Sequence, residues 1–508
     1  MIELPDFSAL KITQSASAPT RKQYDALDQL TIVLPQRPAQ ALFRTLPQGA
    51  QLRKLFVHAG GKDDRRVSTR LSNTRATAVT LATFKEGDAF ADLTWARKLV
   101  TASIEHNPAK IGLLAVGLDR RSKAKALTAM SAAVAAAAFD LPAFKSEKKP
   151  AAAGKLRAVQ ILDAAPALDL TDTLAQALGN NIARWFTALP PNKLTASAYR
   201  EAATELAHAH AMDDEFFGEK ELQKLGAGAF LAVSQGNADR DAGILRLKYR
   251  PAKQQHPELA LVGKGIIFDT GGTNLKPFKG MLDMHADMQG SAVALGTAIA
   301  LAQLRVPFAF DVWLAITENR LSARAYKSQD VVHALNGTTI QVIHTDAEGR
   351  MVLADTLALA ARENPKLIVD YATLTGSCVA ALTDRYSGIF SNRIAAHEVL
   401  TQNGRNSGER VWPFPLDDDF EEALQSETAD IKQCAADGHG DHILAARFLM
   451  RFVPKTIPWI HMDLSAGQHK GGLAHVPSEI TGFGVRYTLE LLRRTATSPS
   501  ELVEKFTT

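Results

Sequence analysis

Apolar runs of about four to eight residues, bounded by polar or turn-forming positions, alternate along the chain with stretches of helical period. In the first third, 29–35, 77–84 and 111–116 have the length and composition of short strands. Residues 88–103 are helical in pattern. So are 122–138, where alanine stands at 132, 133 and 135–138 and has the highest helix propensity of any residue. A basic loop at 145–155, expected to be solvated, leads to a strand at 156–162. A helix follows over 171–189, with Asp172 near its start and Pro190-Pro191 stopping it.

The second half repeats the strand–helix alternation more strongly. Residues 259–262 and 266–268 belong to one buried strand ending at Asp269-Thr270-Gly271-Gly272. A helix is expected from about 290 to 304, then a strand at 308–316. A further strand at 339–343 runs into Thr345-Asp346-Ala347-Glu348-Gly349-Arg350, followed by a helix at 351–362 and strands at 367–371 and 459–463. The pattern predicts an α/β protein of two domains. A smaller N-terminal α/β domain (1–170) is joined by a connecting helix (171–190) to a larger C-terminal α/β domain (191–508). The larger domain is expected to have a central mixed sheet flanked by helices.

Composition narrows the function classes. Of 508 residues, 46% are hydrophobic and 22% charged, enough apolar surface for a large core and too much for a disordered chain. No apolar run reaches the length of a spanning helix, so no membrane partner is expected. Met1-Ile2-Glu3-Leu4-Pro5 lacks the basic and apolar regions of a secretory leader, and a cytoplasmic location is expected. The two cysteines, Cys378 and Cys434, exclude a disulfide scaffold, a Cys-rich zinc site and an iron–sulfur cluster, and read as small buried hydrophobes. A net charge of +4 is mild for this length and does not predict nucleic-acid binding.

The candidate chemistry lies where polar residues fall just past strand ends, which is where open α/β sheets bind ligands. Asp269, Asp287, Asp346 and Glu348 are the leading candidates. Taken singly, each acid also fits an N-cap or turn. Gathered at strand ends they would repel one another unless something positive lay between them, a role suited to divalent cations. Lys264 stands inside the apolar strand. It either pairs with an acid, donates a neutral amine to a metal, or extends its ammonium outward to water. Lys276 and Arg350 are further cations near the acids, fit to stabilise an oxyanion, to anchor an anion, or to lie at the surface. The histidines 439, 442, 461, 469 and 475 show no supporting ligand pattern and read as structural or solvent-facing.

Four stretches resemble the leucyl (cytosol) aminopeptidase family of metallopeptidases. His344-Thr345-Asp346-Ala347-Glu348-Gly349-Arg350 is similar to its NTDAEGR signature. Residues 262–272 with Leu275-Lys276-Pro277 match VGKGxxFDxGG…KP, Asp287-Met288-Gln289-Gly290-Ser291-Ala292 is similar to DMxGAA, and 372–376 match ATLTG. The resemblance implies a metal-dependent aminopeptidase acting on peptides with an unblocked N-terminus, apolar residues such as leucine preferred. Lys264, Asp269, Asp287 and Glu348 would hold one metal, and Asp269, Asp346 and Glu348 the other, Mn or Zn in this family. A metal-bridging water would be the nucleophile. Lys276 would stabilise the oxyanion, Arg350 would hold a bicarbonate general base, and Leu374 and Gly376 would contact the substrate backbone. A homohexamer, built as a dimer of trimers, is implied. Some bacterial members of the family also bind DNA through the N-terminal domain, which leaves a nucleic-acid role as the alternative. Departures from the family pattern include His344 for the usual Asn, His285 for a basic residue, and Thr273-Asn274 for an apolar-Ser pair. All bear on substrate preference.

Overall fold

The computed structural model describes residues 2–8, 10–59, 66–146, 156–251 and 254–506. The basic loop expected at 145–155 lies, from 147 on, outside these residues. The chain divides into two compact units. One holds Asp6–Ala177 with Gly471–Ser478; the other holds Met1–Pro5, Leu178–Lys470 and Glu479–Thr508. The helix Thr171–Thr187 carries the chain from one to the other.

In the smaller unit the sheet order is Lys11–Gln14, Ala158–Leu162, Lys110–Ala115, Gln29–Pro35, Ala78–Phe84, Arg66–Arg70. All neighbours are parallel except the last pair. The inner strands are buried on both faces, as their unbroken apolar runs require. The alanine-rich stretch forms the helix Arg120–Ala137, whose start is capped by Asp119 accepting from the N–H groups of Arg121 and Ser122. Its small side chains let it pack closely against the helix Ala89–Ser103.

The larger unit is built on a mixed sheet ordered Val411–Pro413, Ser387–Ser391, Trp459–Asp463, Leu367–Ala372, Leu259–Asp269, Phe310–Asn319, Gly243–Tyr249, Asp213–Gly218. Leu259–Asp269 lies at its centre, parallel to both neighbours. The helix Gln289–Gln303 is apolar all round and almost wholly buried, and Glu348–Arg362 is buried along most of its length. The strand expected over 339–343 stops at Gln341. Past it, the N–H groups of Ile343 and His344 donate to the Gln433 side chain rather than to a neighbouring strand. The helix expected from 351 begins earlier, at Glu348, so that this acid occupies its first turn, where the helix dipole favours a negative charge.

Glu409 illustrates how the larger unit satisfies a buried carboxyl. Its Oε2 accepts from the N–H groups of Gly484 and Tyr487 at 2.9 and 2.7 Å, at the start of the helix Val485–Glu490. Burial outweighs these donors and pushes its pKa up to about 7. The folded state therefore holds a proton that the unfolded chain releases near pH 4.3. Stability is expected to fall as pH rises from about 4 to 7, and Glu409→Gln to flatten that slope in urea titrations. Glu409→Ala, which strands two buried donors, should cost about 2–4 kcal/mol.

Candidate metal centre

Lys264 and Asp269 both come from the central strand, five residues apart, and simple alternation would turn them to opposite faces. The register shows how they meet. Ile266 pairs with Thr317 but Asp269 pairs with Asn319, so the central strand carries one extra residue. That bulge reverses the alternation and turns Asp269 to the face Lys264 already occupies. Beyond it the chain turns at Gly271 and Gly272, with φ of 86° and 65°, a region closed to most side chains. The other acids arrive from separate elements. Asp287 lies in the 3₁₀ turn Met284–Met288, Asp346 in the loop past Thr339–Gln341, and Glu348 at the first position of its helix.

These side chains converge. Lys264, only 3% exposed, points inward rather than out to water. Its Nζ lies 2.8 Å from Asp287 Oδ1 and 2.9 Å from Glu348 Oε1, and donates to the Thr373 carbonyl at 2.9 Å. Lys276 Nζ lies 2.9 Å from Asp269 Oδ2 and 2.6 Å from Asp346 Oδ1. One carboxylate oxygen from each of Asp269, Asp346 and Glu348 falls within 4.8 Å of the others.

Burial pushes the Asp287 and Glu348 carboxyls up to about 7, their like-charged neighbours adding to the effect; burial and Asp269 push Asp346 up to about 6. Burial alone would depress both lysines, but the acids facing them prevail and hold both ammonium groups above the ordinary lysine range. Even so, Asp287 Oδ2 and Glu348 Oε2 are buried and accept no hydrogen bond from any described residue. Such oxygens are costly to bury unless a cation meets them. The donor set, carboxylates with one amine, suits hard or borderline divalent ions.

All the residues expected from sequence line one cavity of about 830 Å³: Lys264, Asp269, Lys276, Asp287, Asp346, Glu348, Arg350, Leu374 and Gly376. This is ample for a small-molecule substrate. Arg350 lies in its wall, paired through Nη2 with Asp441 Oδ2 at 2.6 Å. Gly349 closes over Lys264. A Cβ there would stand 2.7 Å from Lys264 Cε and 2.8 Å from Nζ, and that ammonium is pinned by three partners. Gly349→Ala should fold, since alanine suits a helix better, yet displace Lys264. A loss of about 10²-fold in turnover, with weakened metal uptake on equilibrium dialysis, is the expected outcome.

Sequence reasoning missed the residues that hold these groups. Asn319 Nδ2 donates to Asp269 Oδ1 at 2.8 Å and to the Thr345 carbonyl at 3.0 Å. Asn274 Oδ1 accepts from the Thr345 N–H at 2.9 Å, and the Tyr326 hydroxyl donates to the Thr345 carbonyl at 2.7 Å. Asp463 accepts from Leu374 N–H at 3.1 Å and from the Thr375 hydroxyl at 2.6 Å, fixing the loop that carries Leu374 and Gly376. Asn319 and Asp463 each end a buried strand, the position that singled out Asp269; that signal was present for them too. Both cysteines are buried. Of the late histidines, His439 is exposed, while His461 is buried with Nδ1 2.6 Å from Asp370 Oδ1.

A family model described as the cytosol aminopeptidase family, catalytic domain, matches residues 181–489. A probable cytosol aminopeptidase of Chlorobaculum tepidum is 40% identical over 316 residues, 62% of this chain and 62% of the relative. One from Prochlorococcus marinus is 38% identical over 368 residues, 72% and 74% of the two chains. The match thus spans less than two thirds of the first of these relatives. Among solved structures, the bottromycin maturation enzyme BotP in complex with Mn is similar at 29% identity with a TM-score of 0.78, covering 92% of this chain and 99% of its own. A tomato leucine aminopeptidase mutant is similar at 25% identity with a TM-score of 0.82, covering 96% and 97%.

Proposed function

Since the chain belongs to the cytosol aminopeptidase family, we propose that it is a metal-dependent aminopeptidase that removes N-terminal residues from peptides with a free α-amine. The observation that carries this reading is the convergence of Lys264, Asp269, Asp287, Asp346 and Glu348, with buried carboxylate oxygens that no donor among the described residues reaches. Lys264, Asp269, Asp287 and Glu348 would hold one divalent cation, and Asp269, Asp346 and Glu348 a second. When bound, such a pair acidifies water and polarises a carbonyl.

The remaining residues would orient and stabilise. Lys276 reaches the same acids from the loop after Gly272. With a cation neutralising those acids, its ammonium is free to face a developing oxyanion. The 374–376 loop, held by Asp463, would present its backbone to an extended peptide. Met284 and Leu374 add apolar surface to the cavity, in keeping with an apolar N-terminal residue such as leucine. No helix among the described residues is long and apolar enough to cross a membrane.

The Mn in the similar bottromycin enzyme makes Mn(II) the first cation to supply. Leucyl-p-nitroanilide hydrolysis should appear on Mn addition, vanish with a chelator and return on reloading. Hydrolysis that persists after complete metal removal, confirmed by elemental analysis, would refute the reading.

A further inference from the structure

Three cations line the cavity among the described lysines and arginines, and they differ in what they face. Lys264 and Lys276 direct their charge at the acid cluster. Arg350 does not. Its guanidinium, 1% exposed, donates from Nη2 to Asp441 Oδ2 at 2.6 Å and from Nη1 to the Gln433 carbonyl at 3.2 Å. Asp441 opens the helix Asp441–Met450 and lines the same cavity.

The segment that delivers Asp441 is anchored to the one that delivers Arg350. Gln433 Oε1 accepts from the N–H groups of Ile343 and His344 at 3.1 Å each, and its Nε2 donates to the Ala347 carbonyl at 2.9 Å. Gly438 and Gly440, with φ of 67° and 61°, then turn the chain so that Asp441 returns to the guanidinium. A planar guanidinium recognises a carboxylate and a bicarbonate through the same two-oxygen geometry. Both of its bidentate edges include Nη2, which already gives one N–H to Asp441; Nε, buried, meets no acceptor among the described residues, so an anion on that edge would have to share Nη2 and stand directly beside the Asp441 carboxylate. A second anion would also enter a cavity that holds the carboxyls of Asp269, Asp287, Asp346, Glu348 and Asp441. The bicarbonate that the family resemblance places on Arg350 therefore does not fit the residues present.

We propose that Asp441 is the built-in anion of Arg350, so that this chain neither binds nor requires bicarbonate. The proposal rests on the aminopeptidase reading for its catalytic consequence, but not for its binding consequence. Asp441 is a positioning residue: it fixes the guanidinium and supplies the negative charge beside it.

The test uses Mn-loaded protein in carbonate-depleted buffer, with sodium bicarbonate as the probe. Calorimetric titration is expected to show no binding to the wild type and binding to Asp441→Ala. Wild-type turnover of a leucyl substrate should be unchanged by bicarbonate. Without it, Asp441→Ala should lose about 10²-fold in kcat, the scale of a displaced positioning group, and bicarbonate should restore much of that loss. Asp441→Asn keeps the side-chain volume and decides the matter if the alanine variant fails to fold; it too should respond to bicarbonate. Bicarbonate binding to the wild type with a rise in kcat would overturn the proposal. So would full turnover in both variants without bicarbonate binding. A wild type inactive with Mn would count against the peptidase reading alone, because the calorimetric comparison still decides the occupant of Arg350.

Discussion

Asp269→Ala is expected to abolish metal uptake and activity together. No other acid of the cluster is fixed so firmly: Oδ1 accepts from Asn319 Nδ2 and from the Gly271 N–H, each at 2.8 Å, which leaves Oδ2 turned toward Lys276. Under the proposed assignment Asp269 serves both cations, so its loss removes a ligand from each and the anchor of the turn at Gly271. Elemental analysis should find little bound Mn. Turnover should fall by at least about 10⁴-fold, since without the cations nothing acidifies the attacking water. A second readout separates metal loss from unfolding. Ligand binding to the folded state raises thermal stability, so Mn should raise the wild-type melting temperature and leave that of the variant unmoved. A variant that retained stoichiometric metal would refute the assignment.

Lys276→Ala should behave differently: metal content close to wild type, with kcat reduced about 10²–10³-fold, the usual cost of removing one oxyanion donor. The two lysines look alike in charge but not in placement. Lys264 is locked between Asp287, Glu348 and the Thr373 carbonyl, whereas Lys276 is less enclosed and sits on a loop. Removing Lys276 also removes a positive charge that competes with cations for Asp269 and Asp346, so metal affinity should hold or rise. The loss should appear in kcat more than in KM, because the group acts on charge that develops only in the transition state. Full kcat in this variant would show that Lys276 has no such role.

Much of the site was legible because its residues violate local expectation. A lysine inside an apolar strand and acids just past strand ends stand out in a sequence, although each taken singly also fits an ordinary structural role, and their assignment as ligands came from the family resemblance. The strands that carry them were legible too, since parallel strands buried on both faces read as unbroken apolar runs. Gly243–Tyr249 was not, because Arg246 interrupts its pattern. The structure compensates that charge across the sheet, with Arg246 Nη2 2.6 Å from both Asp311 and Glu363. Asn274 and Tyr326 were missed for another reason. Amides and phenols are common in loops and strand ends, and only the fold reveals which backbone groups they grip. Asp441 belongs here as well: it lies 91 positions from Arg350, a separation at which sequence spacing carries no information.

The extra residue in the central strand has a consequence for how this protein tolerates change. It works as a phase shift: everything upstream keeps one parity, and everything from Asp269 onward keeps the other. Deleting Ile267 or Phe268 would leave four regular steps and keep both groups on one face, whereas a single-codon insertion beside them, taken up in the regular ladder, would turn the downstream carboxylate away from the lysine. Every functional side chain would still be encoded, in order and unaltered, yet the cluster would be dismantled. For this strand, length bears on the geometry of the cluster as much as composition does.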